Sequence, residues 1–182
     1  MGRLKTTYAD ASNKKIVREF LLQKFHFEQV VGLAGPDIND YIAFLKKKGC
    51  KKFEIYEKDM TTLVKQLSTL NKKANINLKY SDILEADATK KNTLYDLDFC
   101  VSIKHVKNYV SKFTDSFIMT FSTRIGVKET IDKFFEARNE NIVDNEEHYF
   151  PIPHTVYKTD KNNSYLFTKY HDTSAMCCFA KI

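Results

Sequence analysis

Apolar residues recur along this chain at helical spacing in some segments and crowd into short runs in others, and the two kinds of segment alternate. A first helix is predicted over residues 11–25, where apolar side chains three or four positions apart are separated by Lys and Arg. The run "EQVVGLAG" that follows is typical of a short buried strand ending in glycine. A second helix is predicted in "DINDYIAFLKKKG", where Gly49 stops it.

The same alternation continues towards the C-terminal part of the chain. Strands are predicted in the runs "KKFEIYEKD", "INLKYSD", "YDLDFCVSI" and "DSFIMTFSTR". Helices are predicted between and after them in "MTTLVKQLSTLNKK", "KHVKNYVSKF" and "VKETIDKFFEARNE". Strands separated by helical segments indicate a parallel sheet with right-handed crossovers.

The C-terminal part has a different pattern. Residues 141–154, "NIVDNEEHYFPIPH", show no clear period and contain two of the three prolines, so they are predicted to form a surface loop. Three strand-like runs follow, "TVYKTD", "SYLFTKY" and "AMCCFAKI", separated by turn-like residues. The predicted fold class is α/β, with a doubly wound, mostly parallel sheet that ends in an antiparallel hairpin.

Length and composition limit the domain organisation and the compartment. A chain of 182 residues with 43% hydrophobic residues suits one packed domain, predicted over residues 1–182. Neither a membrane span nor a signal peptide is predicted, because no sufficiently long apolar run exists. The four cysteines form no CxxC pair, which favours a reducing, cytoplasmic compartment, and no metal site is predicted.

The formal net charge of +6 favours a polyanionic partner. The densest group of cations is Lys46, Lys47, Lys48, Lys51 and Lys52. The alternative interpretation of these lysines is a set of solvated helix ends.

One acid and two glycines carry the main functional hypothesis. In a doubly wound sheet, ligands bind beyond the carboxyl ends of the strands, and the first strand–helix turn comes close to them. Here that turn is "GLAGPD", in which Gly32 and Gly35 remove side chains where the backbone must approach a ligand. Glu57 ends the second strand. A carboxylate there can accept two hydrogen bonds from a ribose diol.

This arrangement resembles the class I S-adenosylmethionine-dependent methyltransferases over roughly residues 11–182. The resemblance implies that S-adenosylmethionine is the cofactor, bound mainly by residues 28–90, and that residues 95–182 form the substrate half. It implies that the glycine turn cradles the methionine part of the cofactor, that the end of the second strand binds the ribose, and that "YSDIL" approaches the adenine. The cofactor-binding residues implied in this way are Gly32, Leu33, Ala34, Gly35, Tyr56, Glu57, Asp82, Ile83 and Ser102.

The chain also departs from the pattern of that family. The region of the third glycine reads "PDI", and Val30 stands where an acid commonly precedes the first glycine. After the fourth strand, "VSIKHV" replaces the Asp or Asn, two prolines and aromatic residue of methyltransferases that act on amino groups of nucleic acids. Cys100 lies in the middle of a predicted strand, so it is interpreted as a core residue rather than a nucleophile.

Methyl transfer requires mainly alignment and sometimes a base. The catalytic candidates are Ser102, Lys104 and Arg124, with His105, Ser122 and Thr123 nearby at strand ends. Arg124 could hold a phosphate or carboxylate of the substrate, or it could be an ordinary surface arginine. The predicted loop carries His148, Tyr149 and His154 and could cover the substrate.

The predicted function is therefore S-adenosylmethionine-dependent methyl transfer, with RNA or DNA as the favoured acceptor because of the positive charge. The Lys- and Asn-rich composition resembles that of small phage or viral proteins. Three alternatives stay open: a catalytically inactive, methyltransferase-like binding module or complex subunit; methylation of a small molecule or protein; and a dinucleotide-binding reductase, which would use the same ribose acid.

Overall fold

A computed structural model describes residues 12–35, 38–70, 75–169 and 175–182 of the chain. The helices are α1 (Ser12–Lys24), α2 (Ile38–Lys47), α3 (Met60–Thr69), α4 (Lys107–Val110) and α5 (Val127–Arg138). The strands are β1 (Gln29–Gly32), β2 (Lys52–Glu57), β3 (Ile76–Tyr80), β4 (Thr93–Ser102), β5 (Phe117–Ser122), β6 (Ile142–His148), β7 (His154–Thr159), β8 (Ser164–Lys169) and β9 (Met176–Lys181). The predicted first helix lies within residues 11–25, and residue 11 lies outside the described residues.

The nine strands of the described residues form one sheet in the order β3-β2-β1-β4-β5-β9-β8-β7-β6. The first five pair in parallel, and β9, β8, β7 and β6 continue the sheet with antiparallel pairing. The chain winds from β1 outwards to β3 on one side and from β4 outwards to β5 on the other. The strand order therefore reverses between β1 and β4, which is the switch point where such sheets bind ligands.

Each face of the sheet is covered by helices because most strands are apolar on both sides. One core cluster packs α1 and α2 against the sheet through residues such as Leu21, Ile38 and Leu45. The other cluster packs α4 and α5 against the opposite face through residues such as Val110 and Phe134. The predicted α/β class and doubly wound architecture are confirmed, and no helix of the described residues is long and apolar enough to cross a membrane.

One prediction about the C-terminal part was wrong. Residues 141–154 were expected to form a loop, but Ile142–His148 form strand β6 at the edge of the sheet, paired with β7. Almost every side chain of β6 is exposed, so the strand leaves no alternating apolar pattern in the sequence. Its formation depends on the hydrogen-bond ladder with β7 rather than on burial. Only residues 149–153 connect the two strands as a loop.

Candidate functional site

The carboxyl ends of the parallel strands meet at one edge of the sheet, called here the carboxyl edge. In the parallel registers Gly32 pairs with Ile55 and with Asp96, and Ser102 pairs with Ser122. Glu57 lies two residues beyond Ile55, at the end of the neighbouring strand. The structure therefore brings the first glycine, the acid and the serine of the prediction to a common edge.

The turn from Gly32 to Gly35, called here the glycine turn, begins in close contact with the backbone of β4. A β-carbon placed on Gly32 would lie 2.5 Å from the carbonyl oxygen of Asp96, so no larger residue fits there without moving the backbone. The amide of Leu33 donates a hydrogen bond to that same carbonyl at 3.2 Å. The close approach of β1 and β4 thus fixes where the turn begins.

The far end of the turn is open and is fastened to α3. Gly35 has a left-handed φ of +62°, which favours glycine, and a β-carbon there would meet nothing within 4 Å. The Nε2 atom of the buried Gln66 donates a hydrogen bond to the Gly35 carbonyl at 2.6 Å. The structure thus leaves space beside Gly35 and positions its backbone through α3. Gln66 was not among the predicted residues.

Glu57 is half-buried, and its carboxylate is oriented by the main chain. Its Oε1 atom accepts a hydrogen bond from the amide of Asp59 at 2.8 Å. Asp59 in turn caps α3, accepting from the amide of Thr62 at 2.8 Å. The adjacent Tyr56 is buried in the cluster on the α4 and α5 face, and its hydroxyl donates to Glu54 at 2.6 Å. Tyr56 can therefore reach the carboxyl edge only with its backbone.

Asp82 follows β3 at the same edge and begins a short 3-10 turn. Its Oδ1 atom accepts from the amide of Leu84 at 3.1 Å, and its Oδ2 atom lies 3.1 Å from the ammonium of Lys58. Ile83 is buried under this turn. The lysine next to Glu57 thus reaches across to Asp82, an interaction that the sequence alone does not reveal.

The catalytic candidates lie at the ends of β4 and β5 but already have partners. Ser102 accepts a hydrogen bond at 3.4 Å from the amide of Lys104 and caps the turn that follows β4. The Lys104 ammonium lies 2.8 Å from Glu129 at the start of α5. Arg124 and His105 are exposed, whereas Ser122 is buried and accepts from the amide of Arg124 at 3.4 Å.

A buried ion pair beneath the glycine turn was missed by the sequence analysis. Asp96, fully buried opposite Gly32, accepts hydrogen bonds through Oδ2 from Arg18 of α1 at 2.7 Å and from the Tyr41 hydroxyl of α2 at 2.9 Å. Burial and the negative charge of Asp96 raise the pKa of Tyr41 well above its usual range. The signal in the sequence was an acid inside the apolar strand "LYDLDF", since a buried acid requires a partner.

A cleft of about 490 Å³ opens at the same edge, between the starts of α1 and β7 and the ends of β6 and β8. The imidazole rings of His148 and His154 stack in its wall with centroids 5.0 Å apart. Tyr149 is exposed beside them and donates a hydrogen bond to Glu147 at 2.9 Å. The three residues expected on a substrate-covering loop therefore lie together, although two of them belong to strands.

No protein-family model and no curated protein sequence matches the chain. Solved structures do match it in fold. The chain is similar to an S-adenosylmethionine-dependent methyltransferase from Clostridium acetobutylicum, with a TM-score of 0.58 and 10% identity over 94% of this chain and 90% of that one. It is similar to a putative RNA methyltransferase from Pyrococcus horikoshii, with a TM-score of 0.58 and 14% identity over 97% and 86% of the two chains.

A third similar structure is the ribosomal protein L11 methylase of Lactobacillus delbrueckii, with a TM-score of 0.55 and 9% identity over 93% of this chain and 78% of that one. Two of these proteins are named for different acceptors, RNA and a ribosomal protein, so the likeness determines no acceptor for this chain. It gives no support to the predicted phage or viral origin. At these identities the likeness concerns the fold, and this chain has the fold of the class I S-adenosylmethionine-dependent methyltransferases.

Proposed function

We propose that this protein binds S-adenosylmethionine at the carboxyl edge and transfers its methyl group. The observation that carries the proposal is the position of Glu57. It ends β2 beside the glycine turn of β1, next to the switch point of the sheet, with a carboxylate already oriented by the Asp59 amide. A fixed carboxylate at this place suits a ribose diol, because two hydroxyl donors can bind one ionised acceptor.

The residues around the turn fit such a cofactor. The space beside Gly35 lets a ligand approach the backbone closely. The buried Oε1 atom of Gln66, directly beneath the turn, finds no hydrogen-bond partner among the described residues. A buried acceptor of this kind costs free energy unless a donor satisfies it. A donor of a bound ligand, such as the ammonium of a methionine group, is one that would do so.

Each part of the proposed cofactor is assigned to the residues that follow one strand. The turn from Gly32 to Gly35 would hold the methionine part, Glu57 the ribose, and Asp82 with Ile83 the adenine. Asp82 would then share its carboxylate with Lys58. Residues 28–90 thus form the proposed cofactor half and residues 95–182 the substrate half of one domain, residues 1–182.

When bound, S-adenosylmethionine supplies an electrophilic methyl group on a sulfonium, so the protein contributes mainly alignment and exclusion of water. Ser102 is the proposed residue nearest the reacting centre. Lys104 is held by Glu129 and would act by orienting the start of α5 or by moving to the substrate. Arg124, exposed beyond β5, is the proposed anchor for an anionic group of the acceptor.

For the acceptor we propose nucleic acid, RNA or DNA, on the basis of the net charge of +6. The cleft beside His148, Tyr149 and His154 is the proposed entry for the acceptor, because planar side chains offer stacking surfaces to bases. The cytoplasmic location stays a prediction. Cys50 and Cys177 are buried free thiols, as in a reducing compartment.

The first test is a thermal-shift titration with S-adenosylmethionine and S-adenosylhomocysteine. Cofactor at about 100 times its dissociation constant should stabilise the native state by about 2.7 kcal/mol. Glu57→Gln should weaken binding about tenfold or more, since it removes the charged acceptor of two hydrogen bonds. Glu28→Gln, at the opposite edge of the sheet, is the matched control and should bind normally. Equal binding by wild type and Glu57→Gln would refute the ribose assignment.

The alternative is a methyltransferase-like binding module without catalysis. It is favoured by the missing third glycine and by the ion pair that occupies Lys104. The two functions separate in one assay with radiolabelled cofactor and nucleic acid. Cofactor binding with no transfer to any acceptor would support the module, whereas transfer would exclude it.

A further inference from the structure

The densest lysines of the chain lie far from the candidate site. Lys52 begins β2 directly after Lys51, whereas Glu57 ends the strand. Lys52 and Glu57 are five residue-to-residue steps apart along the extended strand, or about 16 Å. Lys46 and Lys47 end α2, which also points its C-terminus away from the glycine turn. The cluster therefore lies at the opposite edge of the sheet, called here the amino edge.

Backbone hydrogen bonds join three segments into one surface at this edge. The amides of Lys51 and Lys52 donate to the carbonyl of Glu28 at 2.9 and 3.1 Å. The amide of Glu28 donates to the carbonyl of Asn92 at 3.1 Å. A β-carbon on Gly49 would lie 3.8 Å from the ring of His26. Residues 24–28, 46–52 and 91–92 are therefore contiguous, and together they are called the amino-edge patch.

The charge of the amino-edge patch accounts for the charge of the whole chain. Its charged residues are the single acid Glu28 and the seven lysines Lys24, Lys46, Lys47, Lys48, Lys51, Lys52 and Lys91. Seven positive charges and one negative charge give the patch a net charge of +6, equal to that of all 182 residues. The remainder of the chain is therefore neutral overall, and its basic character is concentrated on one surface.

Among the residues that the structure describes, these lysines differ from other lysines of the same sheet in having no carboxylate partner. Lys79 and Lys90 lie 2.9 and 2.6 Å from the carboxylate of Glu54. Within the described part of the chain, none of the seven patch lysines forms an ion pair. Clustered like charges without counter-charges repel one another, and an anionic partner would relieve that repulsion.

Helix ends explain only part of the cluster. Lys24 and the pair Lys46 and Lys47 lie in the last turns of α1 and α2, where a cation interacts favourably with the helix dipole. Lys48, Lys51, Lys52 and Lys91 lie outside the helices. More than half of the lysines in the patch therefore need another explanation than helix termination.

We propose that the amino-edge patch is a docking surface for the phosphate backbone of a nucleic acid, separate from the cofactor site. A phosphate backbone supplies a row of regularly spaced anions that matches several lysines at once. An anionic membrane would commonly add insertion of apolar side chains. None of the exposed large apolar side chains among the described residues belongs to the patch, which favours a hydrated polyanion.

The patch would hold nucleic acid rather than present the reacting atom, because it lies at the other end of the strands from Glu57. The inference shares its charge argument with the proposed nucleic-acid acceptor, but it goes beyond the proposed cofactor binding and methyl transfer, and each of these can fail without the other. The cofactor site is tested by S-adenosylmethionine binding, and the patch is tested by nucleic-acid binding in the absence of cofactor.

The test uses a labelled single-stranded RNA and a DNA duplex, each about 20 nucleotides long, so that several lysines can be engaged together. Affinity is measured by fluorescence anisotropy from about 50 to about 200 mM salt. The variant is Lys47→Glu/Lys51→Glu/Lys52→Glu. The control, Lys65→Glu/Lys128→Glu/Lys161→Glu, changes the net charge equally at exposed lysines elsewhere.

The patch variant should lose about tenfold or more in affinity for nucleic acid. The slope of log affinity against log salt concentration should become shallower by about 0.7 to 0.9 for each phosphate contact removed. The control should keep most of its affinity, and both variants should keep the thermal shift with S-adenosylmethionine. A set of Lys→Gln substitutions at the same three positions provides the same comparison if charge reversal impairs folding.

Three results would overturn the proposal. The wild type could fail to bind either nucleic acid at low salt. The control could lose as much affinity as the patch variant, which would make binding a matter of net charge alone. Vesicles of phosphatidylcholine with phosphatidylserine could bind the patch while nucleic acid does not, which would assign the surface to a membrane.

Discussion

The two edges of the sheet are built from the same strands and have opposite character. The carboxyl edge carries a glycine turn, fixed carboxylates and charges that mostly have partners, as in the pairs Lys58–Asp82 and Lys104–Glu129. The amino edge carries the net charge of the chain, on lysines that form no ion pair with any of the described residues. A site that must hold a ligand in one orientation needs fixed groups, whereas a surface for a polyanion needs only charge. In this protein the net charge therefore does not coincide with the proposed cofactor site.

The largest expected effect concerns the support beneath the carboxyl edge. Arg18→Leu should lower the free energy of unfolding by about 3–5 kcal/mol, because it leaves the fully buried Asp96 without its cation. Urea denaturation measures the effect. Lys15→Leu, at an exposed position on the same helix, should change stability by less than about 0.5 kcal/mol. A loss below about 1 kcal/mol for Arg18→Leu would show that Asp96 finds sufficient compensation elsewhere.

A somewhat smaller effect on stability is expected at Glu54, the carboxylate that forms ion pairs with Lys79 and Lys90. Burial tends to raise the pKa of Glu54, but hydrogen bonds from Lys90, Tyr56 and Lys79 outweigh it and lower the pKa from 4.5 to about 2. A lowered folded-state pKa stabilises the native state above pH 4.5, and this stabilisation is lost as the pH falls towards about 2. Glu54→Gln should therefore cost on the order of 3 kcal/mol at neutral pH.

The check is a series of denaturation curves at decreasing pH. The stability difference between wild type and Glu54→Gln should shrink through the window from pH 4.5 to about 2. Lys52→Gln removes a lysine of the amino-edge patch that has no ion-pair partner among the described residues, and it should show no such dependence. A difference that stays constant with pH would mean that the Glu54 carboxylate is not what stabilises this region.

The smallest effect on stability comes from the glycines of the two edges. Gly32→Ala should destabilise the protein by about 1–3 kcal/mol, because its β-carbon would meet the backbone of β4, and it should also weaken S-adenosylmethionine binding. Gly49→Ala, at the amino edge, has a φ of +96° and should cost about 1–2 kcal/mol through backbone strain alone. Isothermal titration of both variants with cofactor measures the contrast. Equal cofactor affinities would remove the glycine turn from the proposed site.

Much of the fold was predictable because the apolar patterns of its strands and helices lie within short stretches of the sequence. The parallel strands appear as short apolar runs, and the helices between them have a regular apolar face. The exception was β6, whose side chains are nearly all exposed, so its pairing with β7 left no periodic trace. An edge strand is determined by its neighbour's free hydrogen-bonding groups, which only the assembled sheet presents.

The candidate site was predictable to the level of strand ends and no further. The positions of Gly32 and Glu57 at the carboxyl edge were predicted from their places after the first strand and at the end of the second. Gln66, which holds Gly35, and Arg18, which neutralises Asp96, are separated from their partners by 31 and 78 residues, so no local pattern joins them. Lys104 appeared in the sequence as a free cation near the site, but its ion pair with Glu129 depends on how α5 packs.

The sequence by itself determined the alternation of strands and helices, and therefore the edge at which the glycine turn and the terminal acid meet, because parallel strands joined by crossovers all end on the same side. Only the tertiary structure decided which charges are paired and which surface carries the surplus. Charge pairing depends on distances between residues remote in sequence, and those distances exist only once the helices have packed on the sheet.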